Sequence, residues 1–266
     1  MNKLKNKIVI ITGGANGIGA KVAKVFAKNN AYVIITDKNK TNAKKVLDEV
    51  NKFGKCLFFP MDVSNELNWK AFVKFLNQNK IHKVDVLVNN AGVYFGKDIL
   101  KVTSNDFQKL ISINLLGTFF GIKFLTPHLT KAGKKSKYGS SIINLSSIAG
   151  LVGSAGHGAY TASKGAVKLF TKSCAIEFAE LDYNIRVNSI HPGVIETKMG
   201  AQVVNNLSEN LELGDNEAKE MTALMHPVKR MGVPEEIAQL ALFLASNRSS
   251  FITGAEMVID GGFTAK

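Results

Sequence analysis

Cysteine, arginine and tryptophan are scarce in this 266-residue chain, at two, three and one, and the scarcities exclude several kinds of protein. Cys56 and Cys174 sit in apolar segments and form no CxxC pair, so they read as buried free thiols rather than metal ligands or a disulfide. A reducing cytoplasm is the natural setting. The five histidines show no HExxH or similar spacing, and no metal is expected. No stretch approaches the ~18 uninterrupted apolar residues of a membrane span. The apolar run Ile8–Ile11 ends at Thr12 and two glycines, short of the roughly 7 to 15 apolar residues of a secretory signal. It reads as a buried strand bounded by glycines.

The formal charge of +13 raises the question of a nucleic-acid partner. Arginine occurs only at 186, 230 and 248, and the lysines are spread along the chain, which argues against a phosphate-reading surface built from guanidinium forks. The one cluster, KKSK at 134–137, reads as a solvated turn. The excess charge still favours acidic partners.

Seven β-rich runs are present: KIVIIT, AYVIIT, CLFFPMDV, VDVLVNNAG, SIINLSS, IRVNSI and EMVID. Helical patterns separate them. In the first separator Ile18, Val22, Val25 and Phe26 fall on one helical face, and further helices are expected near 41–53, 66–80, 104–126, 158–181 and 234–246. Apolar strands alternating with helices imply an α/β fold, a doubly wound Rossmann-type parallel sheet of seven strands covered on both faces. With no internal repeat or linker, 1–266 reads as one domain. Residues 197–230 break the rhythm; their length and scattered apolar residues, Met199 to Met225, mark a mobile, partly helical cover over a substrate site.

Thr12-Gly13-Gly14-Ala15-Asn16-Gly17-Ile18-Gly19 follows the first strand and leads into a helix. Glycines permit a tight turn and close backbone approach, and the free N–H groups at a helix start favour a pyrophosphate. The pattern is G-x-x-x-G-x-G rather than the G-x-G-x-x-G fingerprint. Asp37 ends the second strand 18 residues beyond Gly19, where a carboxylate can bond the ribose hydroxyls of NAD and repel the extra phosphate of NADP. NAD is therefore expected, with Lys38 next door partly blunting the repulsion.

Tyr160 and Lys164 stand one helical turn apart on one face. A lysine cation beside a tyrosine favours the phenolate; moving the phenol from a pKa of ~10 to ~7 requires roughly 4 kcal/mol, much of which the neighbouring charge and a positive nicotinamide ring are expected to supply between them. Ser147 ends a strand 13 residues earlier, and the glycine-rich connection IAGLVGSAGHG can bring its hydroxyl to the same cleft. No G-x-S-x-G elbow supports a hydrolase reading of this serine. His157 reads equally as a substrate contact or a locally bonded helix-start residue; Tyr94 and Phe95 read as pocket wall or core.

Taken together, TGGANGIG, Asp37, MDV at 61–63, NNAG at 89–92, Asn114, Ser147, Tyr160, Lys164 and PGVIET at 192–197 closely resemble the short-chain dehydrogenase/reductase family over nearly the whole chain. The resemblance implies that Gly13, Gly17, Ile18 and Gly19 hold a pyrophosphate with Asn16 beside them, Asp37 the adenosine ribose, and Asp62 and Val63 the adenine. Asn90, Ala91 and Gly92 would line the cofactor groove, and Val194 and Thr197, with Pro192 and Gly193, would meet the nicotinamide. It implies that Tyr160 moves the proton and Ser147 orients the substrate oxygen. Lys164 would tune Tyr160 and bond the nicotinamide ribose, and Asn114 would help hold a relay water.

A homotetramer is implied as well. The expected activity is NAD-dependent oxidation or reduction of a largely hydrophobic secondary alcohol or ketone: a hydroxysteroid, a cyclic alcohol or a simple secondary alcohol. The alternatives are an NADPH-dependent 3-oxoacyl-carrier-protein reductase and a non-catalytic cofactor-sensing protein.

Overall fold

Alternate residues of the strands go to opposite sides of one sheet, and both sides are apolar. Val9, Ile11, Val33 and Ile35 enter one core cluster, while Ile10, Ile34, Leu87 and Ile142 enter the other. A strand buried on both faces belongs to a parallel sheet with helices on either side, and the computed structural model, which describes residues 3–265, has that form. The strands are β1 (Ile8–Thr12), β2 (Tyr32–Asp37), β3 (Cys56–Pro60), β4 (Val86–Asn89), β5 (Ser140–Leu145), β6 (Ile185–Pro192) and β7 (Glu256–Ile259). Their order is β3-β2-β1-β4-β5-β6-β7, every pairing parallel. All seven expected strands are present. The order reverses between β1 and β4, and the carboxyl ends there open a crevice suited to a ligand.

The helices are α1 (Gly17–Lys28), α2 (Lys40–Val50), α3 (Glu66–Gln78), α4 (Ser104–Leu110), α5 (Gly117–Gly133), α6 (Gly158–Glu180), α7 (Lys198–Leu211), α8 (Asp215–Leu224) and α9 (Pro234–Ala245). In α1 the expected face is the packed one, with Val22, Val25 and Phe26 buried and Ile18 partly so. α4 starts with a capping box between Thr103 and Asp106. Cys56 and Cys174 are free and buried.

One stretch departs from the sequence expectation. The helix expected over 104–126 runs from 104 to 133, and a π-helical turn, Ile111–Leu116, separates α4 from α5. This run is long and apolar enough to cross a membrane by length and composition, with a mean hydropathy of 1.4. Here one face carries buried Ile122, Leu125 and Leu129 against the sheet, while Leu116 and Phe119 on the other stay partly exposed. Residues 197–230, expected to be partly helical, hold the helix pair α7 and α8.

Candidate active site

The glycine loop is built by mutual locking of the β1 and β4 ends. The Asn90 side-chain amide donates to the carbonyls of Thr12 (2.9 Å) and Gly13 (3.1 Å), and the backbone N–H groups of Asn90 and Ala91 both donate to Thr12 Oγ1 at 3.1 Å. Gly13 takes φ +64°, and a Cβ there would come within 2.8 Å of the Ala91 backbone, so only glycine fits. Gly19 has a different reason. A side chain on it would overlap the Gly13 carbonyl oxygen and press on the Asn90 amide. Gly19 therefore lets α1 start close behind the loop, whereas Gly13, Asn16, Gly17 and Ile18 line the cavity.

Asp37 faces the loop from the end of β2. Its carboxylate accepts from the N–H groups of Ala15 (3.0 Å) and Asn39 (2.9 Å), so the residue expected to read the ribose also braces the loop. Lys38 pairs with Asp62 at 2.8 Å. Asp62 also accepts from the Ser64 N–H (3.0 Å) and hydroxyl (2.6 Å). Burial works against the Asp62 carboxylate, yet its bonds to Lys38 and Ser64 outweigh that and hold its pKa below the usual value. Asn16 and Asn42 close this end with an amide-to-amide bond of 2.5 Å.

At the other end, Ser147 follows β5 in an extended conformation, and its Oγ accepts from the Ala149 N–H at 3.1 Å. Tyr160 and Lys164 project from the first two turns of α6, both buried. Burial pushes the Tyr160 phenol up to about 12, and its hydrogen bond with Ser147 pulls the other way. Burial also lowers Lys164 to about 8. The Lys164 Nζ donates to the Leu145 carbonyl (2.8 Å) and lies 5.9 Å from the Tyr160 ring centre. The spacing does bring the two side chains together, but the expected acidification of Tyr160 by Lys164 is not seen in the protein alone: desolvation exceeds any gain from the ammonium.

Asn114 lies within the π turn, a feature that often marks functional positions. Its Oδ1 accepts from the Val93 N–H (2.9 Å), and its Nδ2 donates to the Val93 carbonyl and to Ser163 Oγ, both at 3.0 Å. It does not line the cavity. Its side chain grips the β4 loop from behind, while the Thr118 hydroxyl donates to its carbonyl at 2.8 Å.

A single cavity of about 1080 Å³ runs from Asp37 to the α7–α8 pair. Among the residues expected to hold a cofactor, all but Gly19 line it, and so do Ser147, Tyr160 and Lys164. Met199, Val203, Leu207, Leu211 and Met225 face it from residues 197–230, whereas Met221 and Leu224 are exposed to solvent. Thr197 caps α7, its Oγ1 accepting from the Gly200 N–H at 3.1 Å. Tyr94 and His157 line the cavity; Phe95 does not, and packs beside Tyr94 and Leu110.

Sequence reasoning missed two buried histidines. His226 Nδ1 lies 3.0 Å from the Thr222 carbonyl, which can only accept, so Nδ1 carries the proton and Nε2 accepts from the Val194 N–H at 3.2 Å. His191 Nδ1 likewise donates to the Ser147 carbonyl at 3.0 Å, and Ser189 Oγ lies 2.8 Å from its Nε2. Burial lowers the His191 pKa, although the bond to Ser147 opposes this. Their partners are 32 and 44 residues away, and only the HPG triplet at 191–193 gave any local sign.

A family model described as enoyl-(acyl carrier protein) reductase matches residues 13–264. The chain is 37% identical over 265 residues to the NADP-dependent (R)-specific alcohol dehydrogenase of Lentilactobacillus kefiri, covering 100% of this chain and 99% of that protein. It is 37% identical over 268 residues to the cyclopentanol dehydrogenase of Comamonas testosteroni, covering 100% of each. The 3-oxoacyl-(acyl-carrier-protein) reductase FabG of Chlamydia pneumoniae is 38% identical over 263 residues, covering 98% of each chain.

Proposed function

The chain belongs to the short-chain dehydrogenase/reductase family and is an oxidoreductase acting on CH–OH groups; from that premise we propose that it interconverts a largely hydrophobic secondary alcohol and its ketone with NAD(H). The observation that carries the reading is the convergence of Ser147, Tyr160 and Lys164 on the same cavity as Asp37 and the glycine loop. The residues fit a dinucleotide. Left-handed Gly13 and Gly17 bare the backbone before the α1 N-terminus, and the cavity is lined by Asp37 at one end and by Ser147 and Tyr160 at the other. A bound nicotinamide supplies the acceptor or donor of the hydride.

In its phenolate form Tyr160 takes the hydroxyl proton as the carbinol hydrogen leaves as hydride to the nicotinamide, and the resulting phenol returns the proton in the reverse direction. Ser147 holds the substrate oxygen against that phenol. Lys164, near its own titration at about 8, supplies the positive charge that favours the phenolate form of Tyr160. Asn114 fixes Val93 and Ser163, and with them the floor of the site. The apolar side chains of α7 and α8 favour a substrate with few polar groups, and these helices act as its lid.

NAD is preferred to NADP in this reading because the Asp37 carboxylate lines the adenosine end while Lys38 is turned to Asp62. A homotetramer is proposed as well, consistent with Leu169, Ile176 and Phe119 exposed on α5 and α6, and light scattering tests it. The two buried free thiols suit a reducing cytoplasm.

A second reading, 3-oxoacyl-carrier-protein reductase, has the similar relative from Chlamydia pneumoniae and the charge of +13, suited to an acidic carrier, in its favour. One experiment separates the two: purified protein, NAD and NADP in parallel, cyclic and open-chain secondary alcohols and an acyl-carrier substrate, followed by nicotinamide absorbance. NAD-linked alcohol turnover supports the first reading; NADPH-linked turnover confined to the acyl-carrier substrate replaces it with the second.

A further inference from the structure

The polar contacts of Ser147 and Lys164 leave the plane of the Tyr160 ring open. Its hydroxyl meets Ser147, and Lys164 spends a bond on Leu145, but neither sets the ring's rotation about its own axis. The aromatic side chain packed on that ring is Tyr94. The two rings are edge to face, 86° apart with centres 5.1 Å apart, within a small cluster that includes Leu110 and Ala159.

Tyr94 is held from two directions. On one side its neighbour Val93 is gripped at both backbone groups by Asn114. On the other its hydroxyl lies 2.7 Å from His157 Nε2, with the rings stacked at 5.6 Å. The polarity of that bond follows from the next one. His157 Nδ1 lies 2.7 Å from the Ala155 carbonyl, an acceptor only. Nδ1 therefore carries the proton, Nε2 offers a lone pair, and the Tyr94 hydroxyl donates to it.

Burial, and after it the proximity of Tyr160, push the Tyr94 pKa up, so this donor keeps its proton. The Lys97 N–H adds a second strap, donating to the Gly156 carbonyl at 2.7 Å. The β4 loop is thereby tied to the residues that begin α6, the helix carrying Tyr160.

We propose that Tyr94 and His157 are positioning residues for Tyr160: His157 in its Nδ1–H form anchors the Tyr94 hydroxyl, and the anchored Tyr94 ring holds the phenol in line with Ser147. The inference rests on the proposed function, since it assigns Tyr160 the proton transfer.

The test is a double-mutant cycle in the full-length protein, read as kcat and KM for cyclopentanol with saturating NAD, together with the Kd of NADH from its fluorescence. Tyr94→Phe and His157→Leu each lower kcat about tenfold, as expected for loss of one ordered bond, with KM and NADH Kd within about twofold. The double variant falls no further than either single one, because both remove the same contact. His157→Gln, whose amide can both accept from Tyr94 and donate to Ala155, recovers most of the loss, which a role in folding alone does not predict.

Singles that match the wild type, losses that multiply in the double variant, or a glutamine no better than leucine would each overturn the proposal. If wild-type turnover itself is absent or indifferent to Tyr160→Phe, the functional reading falls and this inference with it. If turnover depends on Tyr160 but not on Tyr94 or His157, the inference alone falls.

Discussion

Replacing Asp37 with asparagine separates the two tasks that the structure gives its carboxylate. One is mechanical: the two oxygens accept from the Ala15 and Asn39 N–H groups at 3.0 and 2.9 Å. An amide keeps one acceptor and turns an NH2 toward the other donor, so one charge-assisted bond is lost and a donor is left facing a donor. That costs about 1 to 3 kcal/mol; at ~2 to 4 °C per kcal/mol for a chain of this size, Tm falls by several degrees.

The other task is electrostatic. A carboxylate and a phosphate dianion about 4 Å apart repel by ~2 kcal/mol in bulk water and by several-fold more at an effective dielectric near 20. Asp37 is half-buried and open to the cavity, so the low end applies, and removing the charge raises kcat/KM for NADP relative to NAD by about 30-fold. Initial rates with the two dinucleotides and a thermal melt measure both effects on one preparation. A fall in Tm with the dinucleotide ratio changed less than about threefold would refute the reasoning, because the carboxylate would then brace the loop without facing the ribose.

Two further outcomes follow from single positions. Gly19→Ala places a methyl group against the Gly13 carbonyl and the Asn90 amide, so the loop must open and NADH affinity drops by tenfold or more, on the scale of ~1.4 kcal/mol; unchanged affinity in a fluorescence titration would remove the packing argument. His128, buried on α5 with both ring nitrogens unbonded, has its pKa lowered by burial and then by Lys131 and His82. The unfolded chain therefore takes the proton first: the stabilisation from neutral His128 is complete above the ordinary value of ~6.5 and is lost as pH falls through the lowered folded value. Melts between pH 7.5 and 5 should show a smaller acid loss in His128→Leu than in the wild type, and an identical loss would contradict the assignment.

The sheet was legible because each strand carries its own signal, a short β-rich run between turn residues, and all seven runs became strands. The Tyr160–Lys164 face was legible from helical spacing. The electrostatic consequence was not, because spacing says nothing of desolvation, and in the folded protein burial raises the phenol instead of lowering it. The π turn at Asn114 was hidden for a related reason: α and π turns differ in which backbone groups pair, while the apolar pattern through 104–133 stays continuous. Gly19 looked like its loop neighbours, and only the approach of the Gly13 carbonyl distinguishes it. The histidine clamps at 157, 191 and 226 join residues 63, 44 and 32 positions apart, contacts that local pattern does not encode.

The account stands most directly on one substitution. Tyr160→Phe keeps the ring and its packing against Tyr94 while removing the only group assigned to carry the proton. It is expected to lower kcat for alcohol oxidation by about 10²- to 10⁴-fold while NADH binds within about twofold of the wild-type Kd. Turnover within a few-fold of wild type would contradict the account, since the proton would then travel by another group.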